Sequence, residues 1–539
     1  MKNFKSFAAM IDCSRDAVMN VESIKRFILL LEKMGFDSLL LYMEDTFEVP
    51  NEPYFGYLRG RYSQKEIRDL CAYGREHHVE VSPCVEMLAH LNAIFHHQAY
   101  SDIHDLDDIL LIDEERTYEF LDRLFSSLES SFLSRTLHIG LDEAHMVGLG
   151  KYKDKHGIVD RTELFVRHLN KIREIAKKHG FHLLMWSDMF FRLATGGEYY
   201  DVNAELKPEK LKDVPDDVDQ VYWDYYHDEQ ETYSKMIELH RGISKADVVF
   251  AGGVWTWAGF APLLSKAKKT IFPALASCRE KGVDRVIMTA WGDDGAECSI
   301  FSALPAFFYA REAALGITDD QQIARDFEAM FSLPFEDFLD LELPNVITHT
   351  RDRALVTNPC KYFFYNDPLL GQFDVHADEK DEALYREYAR RLLKMKEETG
   401  EFGYLFSYLS SLCSFLEVKV ALGKKLRAAY QKKDRQALAK LSPRIEEATQ
   451  RLASFMEESR SRWIKENKRQ GLEISQIRLA GLKERLLETK RVVDEFLAGK
   501  ISSIPELEET ILPVEAGRED EKAPLCYNCY QWNATLGRL

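Results

Sequence analysis

From residue 6 to about residue 315 the apolar positions switch between two periods. Short runs at Phe7–Cys13, Ser38–Met43, Val79–Val85, Thr136–Leu141, His182–Ser187, Gln220–Tyr225, Val248–Gly253 and Val286–Ala290 read as buried strands. Helix-period stretches lie between them. Val21–Met34 sets Ile24, Phe27, Ile28 and Leu31 on one face and stops at Gly35. Ser63 with Glu66 three residues on starts a helix with a capping box. Thr117–Leu128 is amphipathic, and Leu164–His179 is a helix closed by Gly180. Eight strands at βα intervals predict an α/β fold, a (β/α)₈ TIM barrel, within the roughly 250 to 400 residues such barrels occupy.

After about residue 345 the pattern changes. Asp378–Thr399, Tyr404–Lys432, Asp434–Asn467 and Ile474–Leu497 are long, charged, helix-period segments with few Gly or Pro. They predict an α-helical C-terminal domain, so the expected division is 1–345 for the barrel and 346–539 for the helical region. That region is expected to wall the site or to form a homodimer contact. Residues after Gly499 read as an acidic, Pro-containing loop, and no internal repeat is present.

What the strands end in gives the barrel its chemistry. Leu137, Ile139 and Leu141 alternate with His138 and Gly140, and the run then stops at adjacent carboxylates, Asp142 and Glu143. The other strands run into Asp12 and Arg15, Glu44 and Asp45, Glu86 and His90, Trp186 and Asp188, Trp223, Asp224 and Tyr225, Trp255 and Trp257, and Trp291 and Asp293. A barrel collects such residues at one mouth, whereas a doubly wound sheet concentrates them at a switch-point crevice. Packing accounts for any single Trp, since Trp is largely buried on average. Six aromatics at strand ends are harder to explain that way, and they suit the apolar face of a pyranose ring. A protonated carboxyl would then donate to the glycosidic oxygen. Ordinary glycosidase carboxylates straddle the sugar at roughly 5 to 9 Å. Chain neighbours do not easily do that. An adjacent pair suits a mechanism in which one group is the acid/base and the other orients a nucleophile carried by the substrate.

Charge and motifs narrow the field. The net charge is 71 − 89 = −18, which argues against nucleic acid or an anionic membrane as a partner. There is no G-x-G-x-x-G and no G-x-x-x-x-G-K-[ST], and no cofactor is expected. A metal-dependent hydrolase would draw on His90, His138, His145, Asp142 and Glu143. The chain, however, lacks H-x-H at the first strand and lacks H-E-x-x-H. A non-catalytic sugar-binding protein is the other alternative, against which the intact Asp-Glu pair speaks. The N-terminus does not read as a secretion signal, and no apolar run approaches the ~20 residues of a spanning helix. The 9 cysteines are scattered in mostly apolar surroundings, as at Cys71, Cys84, Cys298 and Cys413, which suggests reduced thiols and a cytoplasmic location. Cys526 and Cys529 form one CxxC, too few ligands for a tetrahedral zinc site. Asn533-Ala534-Thr535 matches a sequon that has no meaning without secretion.

His138-x-Gly140-x-Asp142-Glu143 resembles the H-x-G-x-D-E signature of family 20 glycoside hydrolases, the β-N-acetylhexosaminidases. Asp12-x-Ser14-Arg15 resembles the family's first-strand element, and Tyr62-Ser63-x-x-Glu66-Ile67 its helix start. Val81-x-Pro83-x-Val85-Glu86-Met87-x-Ala89-His90 is a looser version of its P-E-I-D-M-P-G-H segment. Trp291-Gly292-Asp293 stands where the family has Trp-x-Glu. Trp463-x-x-x-Asn467-Lys468-x-x-Gly471 resembles the divergent cytoplasmic-type branch. The family's usual N-terminal α/β domain is not expected, because the first strand begins near residue 7.

The resemblance implies roles. Glu143 is the general acid and then the base. Asp142 accepts a hydrogen bond from the 2-acetamido N–H and steadies an oxazolinium intermediate, whose nucleophile is the acetamido oxygen. This substrate-assisted route is the family's known exception to the two-carboxylate scheme. Tyr225 binds the acetamido oxygen with Asp224 nearby. Trp186, Trp291 and Trp257, or Trp255 in its stead, wall the pocket. Arg15 and Asp293 hold the outer hydroxyls. His138 supports the pair from within the barrel, and His90 contacts either sugar or the pair. The implied partners are N-acetylhexosamine-terminated glycans, with GlcNAc and GalNAc both admitted.

Overall fold

Strands that are covered on both faces need no polar alternation, and the barrel strands follow that rule. The computed structural model describes residues 4–293, 295–350, 352–514 and 526. Eight parallel strands close into a barrel: β1 (Ser6–Asp12), β2 (Ser38–Tyr42), β3 (Glu80–Cys84), β4 (Thr136–His138), β5 (His182–Trp186), β6 (Val218–Trp223), β7 (Val248–Gly253) and β8 (Arg285–Ala290). β1 closes the ring, pairing Ser6 with Arg285 on one side and Ala8 with Ser38 on the other. β3 and β4 share the pair Cys84–His138 alone, because the chain leaves regular strand geometry right after His138.

The helices around the ring start and stop where the caps dictate. Asn20 Oδ1 accepts the Ser23 N–H at the start of Val21–Met34, and Gly35, with φ of 80°, ends it. That helix buries Ile24, Phe27, Ile28 and Leu31, each contributing about 1.5–3 kcal/mol on area grounds. Phe27 meets Phe307 edge-on at 5.3 Å. Ser63 and Glu66 complete a capping box at Gln64–Glu76. The helix Asp188–Thr195 follows β5 after a single residue, Ser187.

By its contacts the chain forms two compact units. The first holds Met1–Gly253, Lys268–Ala290 and Phe307–Asp319, and thus the whole barrel sheet. The second holds Val254–Ala267, Trp291–Ala306 and the chain from Asp320. The division is therefore not one cut near residue 345: the segments that follow β7 and β8 cluster with the helical part.

In the second unit, Gly403–Lys419 packs between Asp381–Met395 and Arg435–Glu466, and Leu472–Leu497 packs along Arg435–Glu466. The expected helix Tyr404–Lys432 is two helices, Gly403–Lys419 and Leu422–Gln431. Phe364 joins Phe260, Phe415 and Phe455 at ring separations of 4.8, 4.9 and 5.0 Å. One expectation is corrected here. Gly400–Gln431 contains a window with mean hydropathy 1.4, long and apolar enough by composition to cross a membrane. In the structure 83% of that window is buried within the protein. Among the described residues Cys13, Cys71, Cys84, Cys278, Cys298, Cys360 and Cys413 are buried cysteines. Cys529 of the CxxC and the sequon Asn533-Ala534-Thr535 lie outside the described residues.

Candidate active site

The carboxylate pair sits on a turn whose backbone is forced. Beyond β4, the Ile139 N–H still donates to the Leu184 carbonyl, and Trp186 N–H donates to the Gly140 carbonyl. Gly140, Leu141 and Glu143 then take φ of 68°, 76° and 50°. Left-handed backbone costs a non-glycine residue roughly 1–2 kcal/mol, so neighbours must hold it. Two buried carboxyls do so. Glu86, just past β3, accepts the Leu141 N–H at 3.2 Å, and a Cβ on Gly140 would overlap its carboxyl group. Asp188, just past β5, accepts the Glu143 N–H at 3.1 Å. Gly140 N–H donates to His138 Nδ1 at 3.1 Å, which puts that ring's proton on Nε2. Burial drives His138 down to about 3, against the pull of Asp142, and keeps it neutral. Its ring lies 4.2 Å from that of buried Trp186.

The groups on the turn are electrically unlike. His90 Nε2 stands 3.3 Å from Asp142 Oδ2. Burial pushes Asp142 up, but the His90 cation more than reverses this and holds it below the usual carboxylate range. Burial pushes His90 down, and Asp142 more than reverses that, holding it well above the usual imidazole value. Asp142 Oδ1 is buried and accepts no hydrogen bond. Glu86 is pushed well up, by burial first and then by the Asp142 charge. Asp188 is pushed up to about 7 by burial and Asp142, against Arg192. The inner carboxyls thus separate: Asp142 is held below the usual carboxylate range, and Glu86 and Asp188 are held above it. Glu143 is the accessible one, at 40% exposure. Its Oε1 lies 3.4 Å from Arg192 Nη2, and its Oε2 lies 3.8 Å from His90 Nε2.

His90, Asp142 and Glu143 bring one potential ligand atom each within 4.8 Å of one another, the one such trio among the described residues. As arranged, His90 Nε2 faces Asp142 Oδ2 at 3.3 Å and Glu143 Oε2 at 3.8 Å.

The first unit places other expected site residues as follows. Arg15 donates to Asp12 Oδ2 at 3.0 Å, faces Glu44 at 3.4 Å and lies 4.9 Å over the Tyr42 ring. Tyr225 is nearly buried and stacks on Trp223 at 5.4 Å. Asp224 is placed inside the loop rather than at an open surface. Its side chain is inaccessible to solvent. Oδ2 accepts from Tyr222 Oη at 2.7 Å and pairs with His227 Nδ1 at 2.8 Å, while Oδ1 accepts the Tyr226 and His227 N–H groups. It caps the loop after β6, an Asx-type turn that reads in sequence like a free acid.

Trp255, Trp257, Trp291 and Asp293 belong to the second unit. Trp255 and Trp257 stack at 4.5 Å and 22°, and Thr256 Oγ1 donates to the Trp291 carbonyl at 2.7 Å. Asp293 is half-buried.

Three further residues enter around the pair. Asp108 accepts the His90 N–H at 2.9 Å. Asp188 and Arg192 face each other at 2.9 Å. The spacing of four from Asp188 to Arg192, on a helix opening directly behind a strand end, was the available signal.

Comparison with known proteins matches two stretches of the chain. The model described as the glycosyl hydrolase family 20 catalytic domain matches residues 7–235, and that described as the glycoside hydrolase 20C C-terminal domain matches residues 336–526. Hexosaminidase D of Bos taurus is 22% identical over 249 residues, 43% of this chain and 64% of that protein. Hexosaminidase D of Homo sapiens is 23% identical over 227 residues, 40% of this chain and 44% of that protein. The chain thus spans from under half to just under two thirds of these relatives. The crystal structure of a family 20 exo-β-N-acetylglucosaminidase from Vibrio harveyi, in complex with N-acetylglucosamine, matches with a TM-score of 0.45 and 17% identity, covering 64% of this chain and 58% of that one.

Proposed function

The chain belongs to glycoside hydrolase family 20 as a divergent member, and from that premise we propose that it is an exo-acting β-N-acetylhexosaminidase. It removes terminal β-GlcNAc, with β-GalNAc as a second substrate, by a retaining, substrate-assisted mechanism. The observation that carries this reading is the state of Asp142: ionised by His90, half-buried, and with an inaccessible Oδ1 accepting nothing. A buried carboxylate oxygen without a donor is costly to keep. An acetamido N–H is the donor that fits it. Binding there turns the acetamido oxygen toward the anomeric carbon.

Glu143 supplies the other half. Adjacent to Asp142 and open to solvent, it protonates the leaving oxygen while the acetamido oxygen attacks. The anomeric C–O bond to the aglycone breaks, and a ring closes between the acetamido oxygen and the anomeric carbon. Asp142 keeps its charge and balances the oxazolinium. Glu143, now ionised, takes a proton from water as that water opens the ring from the face the aglycone left. Two displacements retain the anomeric configuration. Within the first unit, Tyr225, Trp186 and Arg15 are the sugar contacts in this reading. A cytoplasmic location, argued from the buried thiols, belongs to the same proposal.

The deciding assay is release of nitrophenol from the 4-nitrophenyl β-glycosides of GlcNAc, GalNAc and glucose by wild type and Asp142→Asn. The expected result is turnover of the two acetamido sugars only, with Asp142→Asn crippled on both. Glucoside turnover at a comparable rate would remove the acetamido nucleophile and sink the mechanism.

A further inference from the structure

Glu143 has freedom to miss its target, since its side chain is 40% exposed. The structure restrains it twice from one point. Asp188 Oδ2 accepts the Glu143 backbone N–H at 3.1 Å and the Arg192 Nε–H at 2.9 Å. The Arg192 Nη2 then faces Glu143 Oε1 at 3.4 Å. The third guanidinium nitrogen, Nη1, donates to the Gly197 carbonyl at 3.2 Å. The guanidinium carbon lies 5.7 Å over the Tyr199 ring and 6.0 Å over that of Trp223. All three nitrogens are thereby engaged and the fork is fixed in plane. Asp188 is itself locked, with its side chain inaccessible to solvent at the start of the helix behind β5.

We propose that Asp188 and Arg192 form a clamp that positions the Glu143 carboxyl for proton transfer to the leaving oxygen. The proposal rests on the reading of Glu143 as the general acid. Neither residue is asked to touch substrate, so both are positioning residues. The charged and titratable groups facing the clamp are Glu143, Asp142, His90 and His145, with Asp108 behind His90. None of the others joins the backbone of Glu143 to its own side chain through one intermediate. Arginine suits the place because Nε and Nη2 bridge two acceptors at a fixed angle, which a lysine ammonium does not reproduce.

A clamp of this kind has a kinetic signature. A general acid matters in proportion to how badly the leaving group needs a proton. Phenyl β-GlcNAc has a poor leaving group, and 2,4-dinitrophenyl β-GlcNAc leaves almost unaided. Both share one glycone, so general damage to the pocket lowers both equally.

The experiment is kcat/KM on these two substrates for wild type, Glu143→Gln, Arg192→Met, Arg192→Lys and Asp188→Asn. Inhibition by free GlcNAc and thermal unfolding are measured on each protein. Glu143→Gln is expected to lose about 10²-fold or more on the phenyl glycoside and far less on the dinitrophenyl one. Arg192→Met and Asp188→Asn are expected to show the same selectivity at about tenfold, with GlcNAc inhibition near wild type. Arg192→Lys is expected to recover only part. If Glu143→Gln is selective but Arg192→Met and Asp188→Asn lower both substrates equally or neither, the clamp is wrong and the acid assignment stands. If Glu143→Gln itself is unselective, the acid assignment fails first. Should Arg192→Met unfold, Arg192→Lys carries the same comparison, and full activity in that variant overturns the need for the fork.

Discussion

Gly140 stands directly against Glu86: a Cβ added to the glycine would overlap the carboxyl group that accepts the Leu141 N–H. Two costs therefore fall on Gly140→Ala, left-handed backbone and overlap with a buried group. Gly196 separates them, since its φ of 83° and ψ of 20° are left-handed and nothing lies within 4 Å of its added Cβ. Denaturant unfolding should show about 1 kcal/mol lost for Gly196→Ala and about 2–4 kcal/mol for Gly140→Ala. Equal losses would mean that the Glu86 contact is slack.

The His90–Asp142 pair fixes the sign of a pH effect. Burial alone would raise Asp142, and His90 is what holds it down. In His90→Gln the burial cost rules, and Asp142 keeps its proton to higher pH. The proposed mechanism needs Asp142 ionised, so the acidic limb of kcat/KM should move upward. A limb that stays in place would detach that limb from Asp142.

Glu86 makes an opposite contribution to stability. Burial and the Asp142 charge raise its folded-state value well above the ordinary one. The unfolded chain loses this proton near pH 4.3, while the fold keeps it to higher pH. Stability is therefore fullest below that point and falls as pH rises toward the raised value. Asp188, at about 7, adds a loss of the same sign between about pH 4 and 7. Glu86→Gln keeps an acceptor for the Leu141 N–H and removes one titration. The Tm of this variant relative to wild type should be more favourable at pH 8 than at pH 5. A difference that does not vary with pH would show that Glu86 titrates alike in both states.

The barrel was legible because each strand is a short apolar run bounded by a chemically distinct end. Val248–Gly253 was read at its true bounds. The strand Thr136–Leu141 was read too long, since β4 stops at His138. Ile139 and Leu141 continue the alternation in sequence, but the backbone has already turned left-handed. That turn depends on Glu86 and Asp188, which are distant in sequence, and residue period carries no trace of it. Asp224 shows the converse limit. An acid at a strand end looks the same whether it faces a ligand or caps its own loop, and here Tyr222, Tyr226 and His227 claim it. The break between Lys419 and Leu422 contains only Val420 and Ala421, and Gly423, one residue beyond it, is the one local mark in sequence.

The second unit holds a pair whose partners answer for each other. Lys361 Nζ lies 2.9 Å from Glu297 Oε2, with side-chain exposures of 1% and 9%. Tyr365 Oη donates to Glu297 Oε1 at 2.6 Å, and Tyr408 Oη donates to the Glu297 carbonyl at 3.0 Å. Taking two charges out of water costs several kcal/mol per ion, and mutual attraction offsets this only while both remain. Lys361→Met leaves a buried carboxylate without its cation and should cost about 3–5 kcal/mol. Glu297→Gln keeps an acceptor for Tyr365 but removes the carboxylate charge facing Lys361 Nζ, so it should also be costly. The double variant buries no net charge and fills the lysine's volume with an apolar chain. It should therefore be more stable than either single variant. A double-mutant cycle on unfolding free energy measures this directly, and the coupling should exceed about 1 kcal/mol for contacting residues. If the two single losses merely add, Lys361 and Glu297 act independently and the buried pair is not a unit.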